Sequence, residues 1–324
     1  MSNKVLKPKK ASLYQFTQKY SNNIDNCIEF FKSMKWPEGF SCDRCGCHKY
    51  YLVKRVGKTK TSYVLECSSC HKQHSLLSGT IFQSCKLDLY KLLLGIFLFF
   101  NENKGISAVD LCSILDVNYK TALLLENKCR ILMSLSNSDK LLNSLFYEAD
   151  VFNIGAKSKN KAGRASGQQS ILGILSTDKE NNYPRFIKLR VITDYTGLSL
   201  KKNIEKCCVL SHDALLNTDG EKGFNTLNEE IQVKNEKISY EEKDHRLLWL
   251  NIIIGNIKNN ITGIYHGITK REMPLFLNEQ EYRFNHRKMG KTIMDKIKKY
   301  LQRSFPISHR QIVYILNISA PHFS

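Results

Sequence analysis

Four polar residues between positions 150 and 258 have the types and spacing that metal-dependent chemistry needs. Asp150 lies within an apolar, β-rich run, where a buried charge is costly without a partner, and Asp219 follows a short apolar run. Asn251 and Lys258 are seven residues apart, or two helical turns, so both project from one face of a helix predicted over Leu247 to Gly267. Converging carboxylates can hold divalent cations for phosphoryl transfer, but a turn-capping Asp219 and a solvated helix face are the ordinary alternatives.

A second group consists of four cysteines in two Cys-x-x-Cys pairs, Cys42 with Cys45 and Cys67 with Cys70. Two thiolates three residues apart on a tight turn take two corners of a Zn²⁺ tetrahedron, and the second pair closes the other two. We therefore predict a structural zinc ribbon. Further cysteines and histidines near these pairs are interpreted as surface or packing residues: Cys47, His48, His71 and His74. The odd total of eleven cysteines favours reduced thiols over a disulfide framework.

The charge balance indicates a polyanionic partner. The chain has 49 Lys plus Arg against 30 Asp plus Glu, a net charge of +19, which favours nucleic acid over a membrane, with solubility as the plain alternative. A hydrophobic content of 42% argues against wholesale disorder, and the longest apolar run, Leu92 to Phe100, is too short to span a bilayer. Without an apolar segment after its basic N-terminus, the chain is expected to be cytoplasmic and nucleoid-associated when bound to DNA. A basic and aromatic group near the C-terminus suits DNA backbone contacts: Lys270, Arg271, Tyr282, Arg283, Phe284, His286, Arg287 and Lys288.

The first half of the chain should position the zinc site and contact DNA. Residues 1–12 are predicted to be a disordered basic arm, and 13–86 a helix, broken near Ser21 to Asn23, followed by the ribbon. Residues 87–143 are predicted to be helical. The pattern there resembles a helix-turn-helix, with a helix to Leu115, a turn at Asp116 to Asn118 and a second helix from Tyr119. The second helix would offer residues 118–121 to a groove of DNA. A helical spacer without base contacts is the alternative.

The second half has the pattern of an α/β domain over residues 144–287, with a basic tail, or one or two basic helices, over 288–324. Strands are predicted at 145–154, 170–177 and 185–193, then a helix at 198–208 and a strand at 214–217. If the first strand neighbours the fourth, Asp150 and Asp219 converge. Glu148 shares a strand face with Asp150 through the period of two, and a structural role is favoured over metal ligation.

Taken in order, seven blocks resemble the bacterial insertion-sequence transposases related to the eukaryotic Merlin elements. They are KWPEGFSCDRCG (35–46), HSLLSGTIFQSCKLDL (74–89), KGISAVDLCSILDVNYKTA (104–122), EADVFNIGAK (148–157), TDGEKGF (218–224), NIIIGNIK with GIYHG (251–267) and LNEQEYRFNHR (277–287). The resemblance implies an α/β fold, an RNase H-like mixed sheet flanked by helices, preceded by a small zinc ribbon and a helix-turn-helix-like region.

The resemblance also implies roles for single residues. Asp150 and Asp219 match the first and second catalytic aspartates, Asn251 stands where many members have glutamate, and Lys258 matches the family lysine. Asp150, Asp219 and Asn251 would then hold catalytic Mg²⁺ or Mn²⁺, with Asn251 offering only a neutral oxygen, and Lys258 would hold a phosphate oxygen. Val151 departs from the acidic residue that follows the first aspartate in the family.

The implied function is that of a DDE-type DNA transposase, which cleaves phosphodiester bonds at terminal inverted repeats and transfers strands in a metal-dependent reaction. Its implied partner is double-stranded DNA, both the transposon ends and the target. The resemblance also implies that the protein acts as a homo-oligomer on DNA and that it has no membrane partner. The alternative is a non-catalytic DNA-binding protein or regulator derived from a transposase. Metal-dependent cleavage of a cognate DNA end distinguishes the two classes.

Overall fold

The computed structural model describes residues 11–57, 61–137, 141–155, 168–178, 183–235, 247–287 and 293–318. Residues 1–10 of the predicted basic arm and the predicted DNA contact Lys288 therefore lie outside the described residues. The chain forms two compact units. The first comprises Met1–Ser136 with Arg287–Val313, and the second comprises Asn137–His286 with Tyr314–Ser324.

The first unit begins with two helices, α1 (Leu13–Tyr20) and α2 (Ile24–Lys35). The predicted break between them is confirmed. It occurs because the Asn23 side chain accepts the backbone N–H of Asp25 and so caps a new helix. Both helices bury an apolar stripe, as their spacing of three and four residues predicts.

The ribbon follows as an antiparallel sheet of β1 (Tyr50–Val56), β2 (Thr61–Cys67) and β3 (Gln73–Ser75), with β2 in the middle. Three helices come next: α3 (Leu89–Asn101), α4 (Ala108–Leu115) and α5 (Tyr119–Asn137). The predicted pair of helices is confirmed, since α4 ends at Asp116 in a left-handed conformation with φ 50°. The side-chain oxygen of Asn118 caps α5 by accepting the N–H and the hydroxyl of Thr121, and Tyr119 and Lys120 are the exposed residues of the first turn.

The C-terminal segment differs from the predicted basic tail over 288–324. Residues Ile293–Arg303 form α9, and His309–Ile318 form α10, so the helical alternative is correct for these ranges. Apolar residues four apart explain the packing of α9 against α2 and α3, because Ile293, Ile297 and Leu301 lie on one buried face. No helix within the described ranges is long and apolar enough to cross a membrane.

The second unit is built on a five-stranded mixed sheet of β4 (Phe146–Ile154), β5 (Gln169–Asp178), β6 (Tyr183–Ile192), β7 (Leu215–Thr218) and β8 (Gln232–Asn235). The order is β6-β5-β4-β7-β8. Strands β4, β5 and β6 pair antiparallel, and β7 and β8 continue the sheet parallel to β4. This is the expected RNase H-like mixed sheet. The polar four-residue β8 was not predicted.

Helices cover both faces of this sheet. One hydrophobic cluster joins Tyr147 and Ala149 of β4 to α6 (Gly197–Glu205) and the 3-10 helix at Lys222–Leu227. The other joins Phe152 and Ile154 to α7 (Leu248–Gly263) and α8 (Met273–Asn285). Because side chains alternate along a strand, Glu148 and Asp150 share the face that α7 covers.

Helix α8 closes the edge of the sheet at β6. The Asn285 side chain accepts the N–H of Ile187 at 2.8 Å and donates to its carbonyl oxygen at 2.9 Å, while a Glu281 oxygen lies 3.2 Å from the N–H of Leu189. Asn285 therefore pairs with β6 as a neighbouring strand residue would.

The predicted DNA contacts at Tyr282 and Arg283 are wrong. Tyr282 is buried, and Arg283 forms an ion pair with the buried Glu279 at 2.7 Å. Composition predicted a DNA surface here because basic and aromatic residues are frequent between positions 270 and 288, but these two side chains point into the second unit.

We expect Asn285→Ala to destabilise the second unit by about 1–3 kcal/mol, because the backbone groups of Ile187 lose both of these hydrogen bonds. Urea unfolding of the full chain measures the change. Asn256→Ala, at an exposed position of α7, is the control and should stay within about 0.5 kcal/mol of the parent. Equal unfolding midpoints for the two variants would contradict the edge contact.

Candidate active site and zinc centre

The four predicted zinc ligands converge in the ribbon. The Sγ atoms of Cys42 and Cys70 are 3.6 Å apart, those of Cys45 and Cys67 are 3.5 Å apart, and all four lie within 4.8 Å of one another. Sulfur atoms about 2.3 Å from a tetrahedral zinc would lie about 3.8 Å from each other. The donor set and its spacing therefore fit Zn²⁺.

Two similar turns present these thiols. In the first, the N–H of Gly46, at φ 72°, donates to the carbonyl of Cys42, and in the second the N–H of His71, at φ 56°, donates to the carbonyl of Cys67. Burial opposes ionisation of Cys42, but the backbone N–H groups of Arg44 and Cys45 and the His74 side chain lower its pKa to about 6. A thiol that ionises readily is a ready zinc ligand.

The other cysteine and histidine side chains near the ribbon lie outside the four-sulfur cluster. Cys47 contacts the Ser68 hydroxyl, His48 contacts the Phe40 carbonyl oxygen, and His71 faces Glu66. These are surface and packing roles, as expected.

His74 has a closer relation to the zinc centre. It is buried against Trp36 and Phe40, and with Cys42 and Asp43 it forms a second group whose ligand atoms lie within 4.8 Å of one another. Its packing role is therefore combined with a contact to a zinc ligand.

In the second unit, the parallel pairing of β4 with β7 brings the two aspartates together. The last paired residues of these two strands are Ala149 and Thr218. Asp150 and Asp219 directly follow them and therefore lie next to each other. Burial raises the pKa of Asp150, and the negative charge of Asp219 raises it further, while the N–H of Val151 and the charge of Lys258 act against the rise. Asp150 therefore lies within electrostatic range of both Asp219 and Lys258.

Strand β8 fixes the loop that carries Asp219, because Asn235 at its end forms hydrogen bonds with residues on both sides of Asp219. The Thr218 hydroxyl donates to the side-chain oxygen of Asn235 at 2.7 Å, and the side-chain amide of Asn235 donates to the backbone carbonyl of Glu221 and to the side-chain oxygen of Asn225. The strand that was not predicted therefore holds the ends of the turn in which the exposed Asp219 lies.

Helix α7 runs along β4 past Asp150. Near its start, the N–H of Leu250 donates to the Glu148 carboxylate at 2.9 Å, and further along, the Lys258 Nζ lies 5.7 Å from the centroid of the Phe152 ring. Asn251 is exposed and lies in the segment between these contacts, two turns before Lys258. The structure thus brings Asp150, Asp219 and Lys258 together and places Asn251 on the helix that passes them.

The sequence does not reveal the contact that Glu148 makes with helix α7. Its side chain is buried, which raises its pKa to about 7 although the Leu250 N–H opposes the rise. The observed contact is with the helix backbone, and the structural role that the sequence favours stays a prediction. A charged residue two positions before Asp150 in an apolar strand was the only available signal.

These two sites define a class, a zinc-ribbon protein with a transposase domain. Residues 146–285 are similar to the family described as ISXO2-like transposase domain, and residues 23–73 to the family described as transposase zinc-ribbon domain. The two matches cover more than half of the 324 residues and include the acidic site and the four cysteines, respectively. The chain therefore has a zinc-ribbon N-terminal region and a transposase-type domain, each similar to the corresponding domain family. No curated protein matches the chain significantly.

We expect Cys45→Ser to lose the bound zinc and to unfold the ribbon, since a closed four-sulfur site supplies folding energy to so small a sheet. Metal analysis of the purified protein measures the zinc content. Cys47→Ser is the matched control, because Cys47 lies two residues away but outside the four-sulfur cluster, and it should keep the zinc. Zinc retained by Cys45→Ser would remove Cys45 from the ligand set.

Proposed function

We propose that this transposase cleaves phosphodiester bonds at the ends of its element and transfers the cut strands to target DNA, in a reaction that depends on Mg²⁺ or Mn²⁺. The observation that carries the proposal is the juxtaposition of Asp150 and Asp219 at the ends of two parallel strands, with Lys258 beside them. The match to a transposase domain over the same residues supports it.

The donor set fits a hard divalent cation. Asp150 and Asp219 offer carboxylate oxygens, and the raised pKa of Asp150 reflects burial and like charge that a cation would relieve. When bound, Mg²⁺ supplies activation of the attacking oxygen and stabilisation of the leaving oxygen in an in-line displacement. In this proposal Asp150 and Asp219 would fix the position of the cation and thereby the positions of the attacking and leaving oxygens.

Lys258 and Asn251 have complementary parts in the proposal. The ammonium of Lys258, near enough to Asp150 to affect its pKa, holds a non-bridging phosphate oxygen as a point charge. Asn251 contributes a neutral carbonyl oxygen to the metal site. Because it lacks the charge of a glutamate, the site depends more on the two aspartates and on the DNA phosphate.

Recognition of double-stranded DNA belongs to the first unit in this proposal. The exposed first turn of α5 offers Tyr119 and Lys120 to a groove, and the exposed strand β1 adds Lys54 and Arg55 for the phosphates. Joining two element ends to one target requires more than one active site, so the protein is proposed to act as a homo-oligomer on DNA.

We expect Asp150→Ala and Asp219→Ala each to reduce Mg²⁺-dependent cleavage of a cognate DNA end more than about 100-fold, since losing a ligand costs more than losing an outer partner. The measurement is a cleavage assay, accompanied by zinc content and DNA affinity, which should not change. Asp213→Ala, at an exposed position of the same unit, is the control. Binding without cleavage by the parent protein would favour the non-catalytic alternative.

Asn251 provides a separate prediction. Asn251→Ala should abolish most cleavage, while Asn251→Asp and Asn251→Glu should retain it and lower the Mg²⁺ concentration needed for half-maximal rate, because a carboxylate binds the cation more strongly than an amide. The measurement is a metal titration of the cleavage rate. If the alanine variant titrates and cleaves like the parent, Asn251 is not part of the site.

A further inference from the structure

The start of helix α7 is capped by a residue that is remote in sequence. The first N–H groups of a helix have no partner within the helix, and the residue at the N-cap, Leu247, provides no side-chain hydrogen bond. Instead, the carboxylate of Glu148 on strand β4 accepts the N–H of Leu250 at 2.9 Å, across 102 positions of sequence. Glu148 therefore does for α7 what a neighbouring serine or aspartate does for most helices.

The contact is made in the interior of the second unit. Glu148 is 3% exposed, and Leu250 is fully buried in the cluster that joins α7 to the sheet. A carboxylate in such a place is costly unless it is hydrogen-bonded, and an N-terminal helix end, with its positive partial charge, is a favourable partner. Loss of either partner would leave a buried polar group unsatisfied.

The same contact fixes the helix relative to the catalytic strand. Helix α7 contacts β4 at two places: Leu250 contacts Glu148, and Lys258 contacts Phe152. Asp150 lies midway between Glu148 and Phe152 on the strand. Opposite Asp150 on β5 is Gly173, where an added Cβ would lie 3.2 Å from Phe152 and 3.3 Å from Leu250. The absence of a side chain there allows the helix to pack closely on the strand.

We propose that Glu148 is a positioning residue of the acidic site: it holds the first turn of α7 on β4 and thereby sets Asn251 and Lys258 beside Asp150 and Asp219. What the positioned residues do rests on the proposed function, whereas the anchoring of the helix does not. Glu148 itself acts through Leu250.

Two substitutions separate positioning from metal binding. Glutamine can accept the Leu250 N–H through its amide oxygen but is a weaker metal ligand than a carboxylate. If Glu148 only positions the helix, Glu148→Gln should therefore cleave within about threefold of the parent and need no more Mg²⁺ than the parent for half-maximal rate. Alanine removes the acceptor, and Glu148→Ala should lower cleavage about 10- to 100-fold, as expected for a partner that orients a ligand. If Glu148→Gln is as defective as Glu148→Ala while its α7 remains ordered, Glu148 is a ligand and the proposal is overturned.

Hydrogen exchange of the peptide that contains Leu250 tests the anchor without any activity. Its amides should exchange faster in Glu148→Ala and as slowly as the parent in Glu148→Gln, while peptides of β5 and β6 report that the sheet remains folded. Asn285→Ala, which removes hydrogen bonds at β6 instead, is the stability-matched control and should leave α7 exchange and cleavage unchanged.

The outcomes for the two proposals are distinct. Parent-like exchange of α7 in Glu148→Ala overturns the positioning role, whatever the cleavage rate. If the parent protein cleaves no DNA end, the proposed function fails, and the exchange experiment still supports or overturns the anchor.

Discussion

The second unit depends on placing two carboxylates side by side at the end of a parallel strand pair. Coulomb repulsion and burial both disfavour ionisation of Asp150 next to Asp219, and the rise in the pKa of Asp150 shows that cost. The surrounding structure offsets it locally, with the N–H of Val151 and the charge of Lys258. The sheet is thus arranged around a concentration of negative charge that folding alone would not favour, which is typical of functional sites.

Much of the fold was predictable because local periodicity determines it. The break between α1 and α2, the turn between α4 and α5, and the first three strands of the sheet all follow from apolar spacing and capping residues. Strand β8 was not predictable in this way, since its sequence QVKN is short and polar and becomes a strand only by pairing with β7. The misassigned Arg283 shows a related limit, because composition gives a charge but not its direction.

The candidate site shows the same division between local and long-range information. Residue type and spacing singled out Asp150, Asp219, Asn251 and Lys258 as candidates, and the family resemblance implied their roles. The convergence of the two aspartates was conditional on which strands pair, and pairing depends on contacts far apart in the chain. The role of Glu148 was less accessible still. Helix caps are normally found within three residues of the helix start, whereas this cap comes from a strand that precedes the helix by about a hundred residues.

The closed edge of the sheet at β6 limits how copies of this protein can assemble. A bare edge strand is a template on which a second chain can extend the sheet, but Asn285 and Glu281 already occupy the outward backbone groups of Ile187 and Leu189. A second copy of the chain cannot therefore extend the sheet by pairing with this stretch of β6. The homo-oligomer proposed above would therefore have to be held together through other surfaces of the protein.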